Sequence, residues 1–298
     1  MKKKLLSILL TLTTVATLVG CGANADSTEG AGAEANTEAA SSDETINLKI
    51  GVVGSIYEDL WANAVETLED EGINLEIVQF SDYVTPNNAL ANGEIDLNAF
   101  QHQIYLQSEI DQYGYELTNI GNTFIIPLNL YSEKIKSVEE LKAGDTIAVP
   151  NDPTNEGRAL KVLEAAGVIT LKDNDNFNPT LEDIEKYNVD VTIQELAANT
   201  LASTLPDVTA AVINGNYALD FGLDVDSAIY KDTVLDEEQY WNLIAARTED
   251  LSDPKLVEAY EKVVEAFQSD ATEDVFNDTF GGYFIKVGWE QDRLSEYK

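Results

Sequence analysis

The order of apolar and amphipathic runs constrains the fold of this 298-residue chain more than any other feature of its sequence. Between residues 46 and 113, three runs rich in β-branched residues alternate with three runs whose apolar residues recur at helical spacing. A similar alternation returns between residues 137 and 213. This pattern predicts an α/β fold in which helices cover both faces of parallel sheets.

Two long extended runs interrupt the alternation, at residues 116–130 and 241–246. We expect the chain to cross twice between two lobes along these runs. The predicted lobe 1 comprises residues 46–128 and 243–298, and the predicted lobe 2 comprises residues 129–242. Because ligands of such sheets bind outside the carboxyl ends of the strands, the residues that follow each strand are the candidate site.

One of these strand ends is suited to a small anion. The strand at residues 146–149 runs into a helix that we expect to start near Pro153, with Asn151, Asp152 or Thr154 as its cap. Arg158 falls in the first turn, where free backbone N–H groups and the helix dipole already favour negative charge.

Two further points bear on Arg158. Gly157, just before it, permits a close approach to the backbone. The chain has three arginines, so a planar donor group at this turn is a specific placement. The alternative is a surface arginine that pairs with a nearby acid such as Glu156 or Glu164.

The other candidate residues at strand ends and on the extended runs are aromatic rings and amides. They are Tyr83, Phe100, His102, Asn122, Asn214, Tyr217 and Asn242, with Asp82 beside Tyr83. His102 is the sole histidine, and it is either a structural hydrogen-bonding residue or a ligand contact. The spacing of two residues predicts that Phe100 and His102 face the same side of a strand.

Several function classes are disfavoured. A net charge of −36 argues against nucleic-acid binding, which requires clustered lysine and arginine. With one histidine and one cysteine in the chain, neither a zinc site nor a Cys–His nucleophile is expected. No nucleophile-elbow, dinucleotide or P-loop motif is present, so we predict no enzyme activity, metal or cofactor.

The amino terminus has the pattern of a secretory signal. Lysines at positions 2–4 precede an apolar run at 5–19, so residues 1–20 are predicted to be a signal peptide. The sequence Leu18-Val19-Gly20-Cys21 resembles the bacterial lipobox, which implies a lipid on Cys21. Residues 21–45 lack large apolar side chains and are predicted to form a disordered tether.

Six segments of the body resemble the methionine-binding lipoproteins of the NlpA family. These segments are DYVTPNNAL at 82–90, NAFQH at 98–102, GNTF at 121–124, VPNDPTNEGRAL at 149–160, AVINGNYA at 211–218 and WNLIAART at 241–248. The resemblance implies a type II periplasmic-binding-protein fold, two α/β lobes joined by two crossover strands. It also implies capture of methionine for an ABC permease and ATPase by a protein anchored to the cell membrane through Cys21 and facing away from the cytoplasm.

The resemblance also implies roles for the candidate residues. Arg158 would bind the ligand α-carboxylate, and Asn214 and Asn242 its carboxylate and ammonium ends. The other implied contacts are a pocket around the thioether formed by Tyr83, Phe100, His102 and Tyr105, a polar contact from Asn122, and a contact from Tyr217, which could instead pack behind Asn214. Asn216 is an alternative to Asn214.

The sequence departs from the family pattern near the predicted pocket. Asn129 stands where the family usually has a small residue, and Gln103-Ile104 replaces a more usual Lys-Pro pair. The expected ligand is therefore L-methionine, D-methionine, the sulfoxide or a methionyl peptide. An alternative function is a surface lipoprotein that does not transport but serves in adhesion or sensing.

Overall fold

The computed structural model describes residues 45–172 and 176–298. The predicted signal peptide, Cys21 and all but the last residue of the predicted tether lie outside the described residues. The strands are β1 Ile46–Val53, β2 Ile73–Phe80, β3 Leu97–Asn98, β4 Leu117–Asn122, β5 Phe124–Ile125, β6 Leu128–Tyr131, β7 Thr146–Pro150, β8 Ile169–Leu171, β9 Ile184–Tyr187, β10 Thr192–Leu196, β11 Ala210–Asn214, β12 Leu243–Arg247 and β13 Ile285–Lys286. The α-helices are α1 Ile56–Asp70, α2 Pro86–Ala91, α3 Gln103–Tyr113, α4 Pro153–Ala165, α5 Leu201–Thr204, α6 Gly215–Asp220, α7 Pro254–Phe267 and α8 Asp270–Asp274.

Two main sheets organise the described residues, and the predicted α/β fold with two lobes is confirmed. The sheet of lobe 1 has the strand order β2-β1-β3-β12-β4, and the sheet of lobe 2 has the order β10-β7-β11-β6. Two small sheets, β13-β5 and β8-β9, accompany them. Within the described ranges, no helix has the length and apolar character needed to cross a membrane.

The prediction of purely parallel sheets is wrong, because each main sheet is mixed. β1 pairs in parallel with β2 and β3, but β12 is antiparallel to both β3 and β4. In the sheet of lobe 2, β6 is antiparallel to β11. Both antiparallel strands are those that enter a sheet from the other lobe. Neither β6 nor β12 is connected to the preceding strand of its own sheet by a βαβ crossover. A βαβ crossover joins parallel strands, so its absence leaves β6 and β12 free to run antiparallel.

The core of lobe 1 lies between its sheet and two amphipathic helices. Helix α1 buries Tyr57, Leu60, Trp61 and Leu68, and it packs against α7. Burying one large apolar side chain contributes roughly 1.5–3 kcal/mol. This core therefore holds β1 firmly, and the loop after β1 reaches the space between the lobes from a fixed base.

Two short segments carry the chain between the sheets. β4 ends at Asn122 in the sheet of lobe 1, and β6, which starts at the predicted lobe boundary with Leu128, joins the sheet of lobe 2. The return segment reaches β12 through Asn242, whose backbone N–H donates to the carbonyl of Phe124 at 2.7 Å and whose carbonyl accepts from the N–H of Thr123 at 2.8 Å. The two crossover segments are thus hydrogen-bonded to each other, which places them side by side at the base of the cleft.

Helix α4 begins where the sequence predicts it. Asp152 is the cap, since its Oδ1 accepts from the backbone N–H of Asn155 at 2.9 Å. Gly157 does allow a close approach, but the approaching group is the chain itself. A Cβ at position 157 would lie 2.7 Å from the Cα of Asn178. The glycine therefore lets the loop at residues 177–179 lie across the helix that carries Arg158.

Candidate functional site

A cavity lies between the two sheets, with about 410 Å³ of empty space when the open solvent at its mouth is included. It is lined by Tyr57, Tyr83, Phe100, Gln101, His102, Tyr105, Ile126, Pro127, Leu128, Asn155, Arg158, Asn214, Gly215, Asn216 and Asn242. Tyr83, after β2, and residues 100–105, after β3, supply one wall, and the first two turns of α4 with the start of α6 supply the other. The predicted strand-end residues of both lobes thus meet at one place, as expected for sheets of this kind.

Arg158 is held rigidly in this cavity. Its Nη2 donates to the carboxylate of Asp232 at 2.7 Å and to the carbonyl of Ile126 at 2.9 Å. Its Cζ lies 4.9 Å from the centre of the Tyr240 ring, a cation–π distance. The Nε is buried and has no hydrogen-bond partner among the described residues. The arginine therefore presents a free donor from a fixed position.

The sequence alternative for Arg158, a surface pair with Glu156 or Glu164, is wrong. The Arg158 side chain is 3% exposed, and the partner is Asp232, which is completely buried and 74 positions further along the chain. Glu164 instead accepts from the backbone N–H of Leu171 at 2.7 Å. A buried guanidinium with one unused donor is suited to binding an anion.

Asn155 links three polar side chains of the cavity. Its Nδ2 donates to Asp152, and its Oδ1 accepts from Asn214 Nδ2 at 2.8 Å and lies 3.4 Å from His102 Nε2. Asn214 Oδ1 is buried and has no partner among the described residues. The cavity therefore contains a free acceptor at Asn214 as well as the free donor of Arg158 Nε.

His102 is neutral in this environment. Burial, followed by the positive charge of Arg158, lowers the pKa of the imidazole to about 3. Its Nδ1 accepts from the backbone N–H of Tyr105 at 3.2 Å, so the ring proton lies on Nε2 and is directed at Asn155 Oδ1. His102 thus caps α3 with one nitrogen and contacts the opposite wall with the other.

Aromatic rings form the rest of one wall. Tyr83 and Phe100 are stacked with centroids 5.9 Å apart, and Tyr105 meets Phe100 edge-on at 6.0 Å. The Tyr105 hydroxyl donates to the carbonyl of Tyr83 at 2.9 Å, which ties two of the rings together. Such a wall offers apolar and polarisable surface to a side chain.

Asn216 and Tyr217 have different positions from Asn214. Asn216 lines the cavity, but both ends of its amide are used by lobe 1: Oδ1 accepts from the Tyr83 hydroxyl at 2.5 Å, and Nδ2 donates to the carbonyl of Val53 at 3.1 Å. Tyr217 does not line the cavity and packs behind Tyr83 with centroids 4.9 Å apart. The geometry therefore favours Asn214 over Asn216 as the free amide.

The structure does not bring Asn122 to the cavity. Its Nδ2 donates to Gln291 at 3.0 Å and to the carbonyl of Gly288 at 3.3 Å, on the side of the carboxy-terminal segment. Asn242, by contrast, lines the cavity and forms an isolated bridge with His102. Of the candidate residues, three lie outside the cavity lining: Asn122, Tyr217 and Asp82, whose carboxylate accepts from the backbone N–H groups of Val84 and Thr85.

A buried amide cluster supports the loop that carries Phe100 and His102. Gln101 Nε2 donates to Asn87 at 2.6 Å and to Asn98 at 2.9 Å, and Asn98 Nδ2 donates to Asn87 at 2.9 Å. All three side chains are nearly inaccessible to solvent. Because each satisfies the others, the cluster fixes the loop without leaving a buried polar group unpaired.

Sequence reasoning missed several residues of the site. Asn155 was detectable, since it precedes Arg158 by three positions and one helical turn places both on the same face. Asp232 and Tyr240 had no such signal. Both lie in a region without a clear strand or helix pattern, and they reach Arg158 only through the fold.

The two α/β lobes, the paired crossover segments and the cavity between them define a solute-binding protein with the type II periplasmic-binding-protein fold. A comparison with known families agrees with this class. The profile of the NlpA lipoproteins matches residues 48–288. The chain belongs to the NlpA lipoprotein family.

Individual relatives are similar over most of the chain. The D-methionine-binding lipoprotein MetQ of Yersinia pestis is 38% identical over 294 residues, which cover 97% of this chain and 99% of the relative. A solved nutrient-binding protein from Burkholderia cenocepacia, bound to methionine, is 39% identical with a TM-score of 0.75 and covers 81% of this chain and 100% of its own. A solved substrate-binding protein of a methionine transporter from Streptococcus pneumoniae is 35% identical, with a TM-score of 0.77. The match covers 81% of this chain and 96% of the Streptococcus pneumoniae chain. These relatives are named as binding proteins.

Proposed function

We propose that this protein captures free methionine, or a close derivative, between its two lobes and delivers it to an ABC importer. The observation that carries this proposal is the pair of free polar atoms in one cavity, the donor Arg158 Nε and the acceptor Asn214 Oδ1. An amino-acid zwitterion brings the complementary pair, a carboxylate that accepts and an ammonium that donates. Buried polar atoms without partners are rare in folded proteins, so two of them in one cavity suggest a ligand with this chemistry.

The carboxylate is assigned to Arg158. Hydrogen bonds between a guanidinium and a carboxylate are among the stronger ones in proteins. Asp232, the carbonyl of Ile126 and the ring of Tyr240 already hold the guanidinium, so little conformational freedom remains to be lost on binding. The ammonium is assigned to Asn214 Oδ1, with Asn242 beside it in the lining.

The side chain of the ligand is assigned to the aromatic wall of Tyr83, Phe100 and Tyr105. A thioether gains roughly 0.3–1.5 kcal/mol from a contact with an aromatic ring. His102 contributes a neutral ring surface and positions Asn155. Tyr217 supports Tyr83 from behind, and Asn122 acts outside the ligand cavity.

The identity of the ligand follows from the relatives. The Burkholderia cenocepacia protein is described as bound to methionine, and the Yersinia pestis protein is named for D-methionine. The sulfoxide and short methionyl peptides remain candidates, because Asn129 and the Gln103-Ile104 pair depart from the family pattern. The transporter role of the Streptococcus pneumoniae relative favours transport over adhesion or sensing.

The partners are a permease and an ATPase of the ABC type. The protein is proposed to be held at the membrane by a lipid on Cys21, after removal of residues 1–20, with residues 21–45 as the tether and the body facing away from the cytoplasm. The lobe boundaries are proposed at residues 46–128 plus 243–298 and at 129–242. Closure of the lobes around the ligand would be the state that the permease recognises.

Isothermal titration calorimetry tests the proposal. The purified full chain, kept in detergent, is titrated with the common amino acids, D-methionine, methionine sulfoxide and methionyl peptides. Binding of methionine or one of these derivatives is expected, and Arg158→Ala should weaken it by at least about tenfold because one partner of a buried charge pair is lost. Arg293→Ala, which removes a guanidinium outside the cavity lining, is the control and should leave affinity unchanged. No heat with any of these ligands would overturn the proposal.

A further inference from the structure

A buried carboxylate lies behind the arginine of the cavity. Asp232 Oδ2 accepts from Arg158 Nη2 at 2.7 Å and from the backbone N–H of Leu128 at 3.1 Å, while Oδ1 accepts from the N–H of Val234 at 2.9 Å. The Asp232 side chain is completely buried and does not line the cavity. It therefore acts on the cavity through Arg158 and through its charge, without touching a ligand.

The position of Asp232 is determined by its surroundings. Its backbone N–H donates to Asn129 Oδ1 at 2.9 Å, and Asn129 Nδ2 lies within hydrogen-bond distance of the Tyr131 and Tyr283 hydroxyls at 3.4 and 3.3 Å. Asn129 is one of the residues at which the sequence departs from the expected family pattern. Its side chain thus helps to position the segment that carries Asp232.

The charges around the cavity are few. Among the described residues that line the cavity, Arg158 is the one that carries a formal charge, because burial and Arg158 itself keep the imidazole of His102 neutral by lowering its pKa. Two of the carboxylates near the walls bond directly to lining residues: Asp232 to Arg158, and Asp152 to Asn155. Asp220 near Tyr57 and Glu237 near Tyr240 act only through their charge. Without a ligand, the positive charge of Arg158 is thus already balanced by a buried negative charge.

We propose that Asp232 is a specificity-determining residue that makes the cavity select zwitterionic amino acids over ligands that carry a carboxylate alone. This inference rests on the proposed function, since it concerns the ligand carboxylate at Arg158. Asp232 is a positioning residue by its hydrogen bonds and a selectivity residue by its charge.

The physical reason is charge balance in a closed site. A ligand that brings only a carboxylate adds a second negative charge next to one guanidinium, and an uncompensated charge is costly in a buried site. A zwitterion brings an ammonium as well, so that it leaves the net charge of the site unchanged. Electrostatic discrimination of this kind rejects the wrong ligand through an unbalanced charge.

The test compares methionine with its α-hydroxy analogue, which replaces the ammonium with a hydroxyl group and is otherwise nearly the same shape. Wild-type protein should prefer methionine by about 100-fold or more, and in Asp232→Asn this preference should fall by about tenfold or more. Asp236→Asn is the matched control, because it removes one exposed carboxylate four positions further along the same segment. The control should keep the wild-type preference.

Each result decides the inference. If Asp232→Asn weakens both ligands equally and keeps the wild-type ratio, Asp232 is only structural and the inference is overturned. If neither Asp232→Asn nor Asp232→Ser folds by circular dichroism, the wild-type ratio decides, and a preference below about tenfold overturns the inference. If wild-type protein binds neither compound, the proposed function itself fails, which is a different outcome from binding methionine without an effect of Asp232.

Discussion

Helix α1 of lobe 1 is capped by a residue of lobe 2. Ser55 stands at the cap position, but its own side chain makes no capping hydrogen bond. Instead, Asp220 Oδ1 accepts from Ser55 N at 2.9 Å, from Ser55 Oγ at 2.6 Å and from Ile56 N at 3.2 Å. Gly54, which has a φ of +105°, lies so close that a Cβ there would be 1.9 Å from Asp220 Oδ2. The contact is therefore a part of the interface between the lobes.

We predict that Asp220→Ala weakens ligand binding while leaving each lobe folded. Removal of a capping side chain costs typically about 1 kcal/mol, within a range of roughly 0.5–2 kcal/mol. Because Asp220 and α1 belong to different lobes, this free energy is lost from the state in which the lobes are together. The dissociation constant for methionine should then rise by about fivefold, and by about thirtyfold at the upper end of the range.

Calorimetry and stopped-flow fluorescence of the intrinsic tryptophans provide the assay. The increase in the dissociation constant of Asp220→Ala should come mainly from faster dissociation of methionine, since variants of one binding site differ mostly in their off-rates. Asp220→Asn, which keeps an oxygen acceptor but loses the charge, should fall between wild type and Asp220→Ala. Asp207→Ala removes another exposed carboxylate of lobe 2 and serves as the control. A dissociation constant for Asp220→Ala within about twofold of wild type would refute the reasoning, because it would show that the cap does not contribute to lobe closure.

Three further predictions concern named side chains. Asn155→Ala should weaken methionine binding by about tenfold, because Asn214 and His102 lose the acceptor that they share. Asn122→Ala should keep an affinity within about twofold of the wild type, because Asn122 bonds outside the cavity. Calorimetry measures both affinities. The pKa of His102 is lowered to about 3 in the folded protein, whereas it is about 6.5 in the unfolded chain. The neutral imidazole therefore contributes its full stability above pH 6.5, and this contribution should fall by about 1 kcal/mol per pH unit below pH 6.5. Denaturant unfolding of the wild type and of His102→Asn over this pH range measures the difference. Burial, followed by the charge of Glu195, raises the pKa of Glu156 to about 7. The protonated carboxyl therefore contributes its full stability below about pH 4.5, and this contribution is lost as the pH rises through 7. The free energy of unfolding of Glu156→Gln, compared with that of the wild type, should be higher by about 1–2 kcal/mol at pH 8 than at pH 4.

The controls for these predictions use the same chain. Glu258→Gln removes an exposed carboxylate on α7 and should show no such difference between pH 8 and pH 4. Equal affinity losses in the Asn155 and Asn122 variants would contradict the assignment of the cavity wall. A pH dependence of stability that is unchanged in His102→Asn would show that the imidazole is not held neutral by the fold.

The sequence was sufficient to predict the local structure around α4. The cap at Asp152 and the start at Pro153 follow from residues within a few positions of one another, whereas Arg158, which was predicted in the first turn, is the sixth residue of the helix and lies in its second turn. Helix α7 begins in the same way, at Pro254 with Asp253 as the cap. Such features depend on backbone geometry over one or two turns, and the residues that determine it are neighbours in the chain.

The sequence alone did not predict the strand directions or the length of β3. The apolar run at residues 95–100 becomes a strand of two residues, and the side-chain amides of Gln101, Asn98 and Asn87 hold the loop that follows it. The antiparallel placement of β6 and β12 depends on the direction in which each crossover enters its sheet. An apolar run has the same pattern in either direction.

The amino-acid sequence by itself determined the α/β class, the two crossovers, the family and the arginine on which the candidate site is centred. Only the tertiary structure decided what holds that arginine and what it leaves free. The carbonyl of Ile126 reaches Arg158 from one distant part of the chain, and Asp232 and Tyr240 reach it from another. A local pattern is set by residues within reach of one another along the backbone, whereas a buried ion pair is set by which distant segments the packed core brings together.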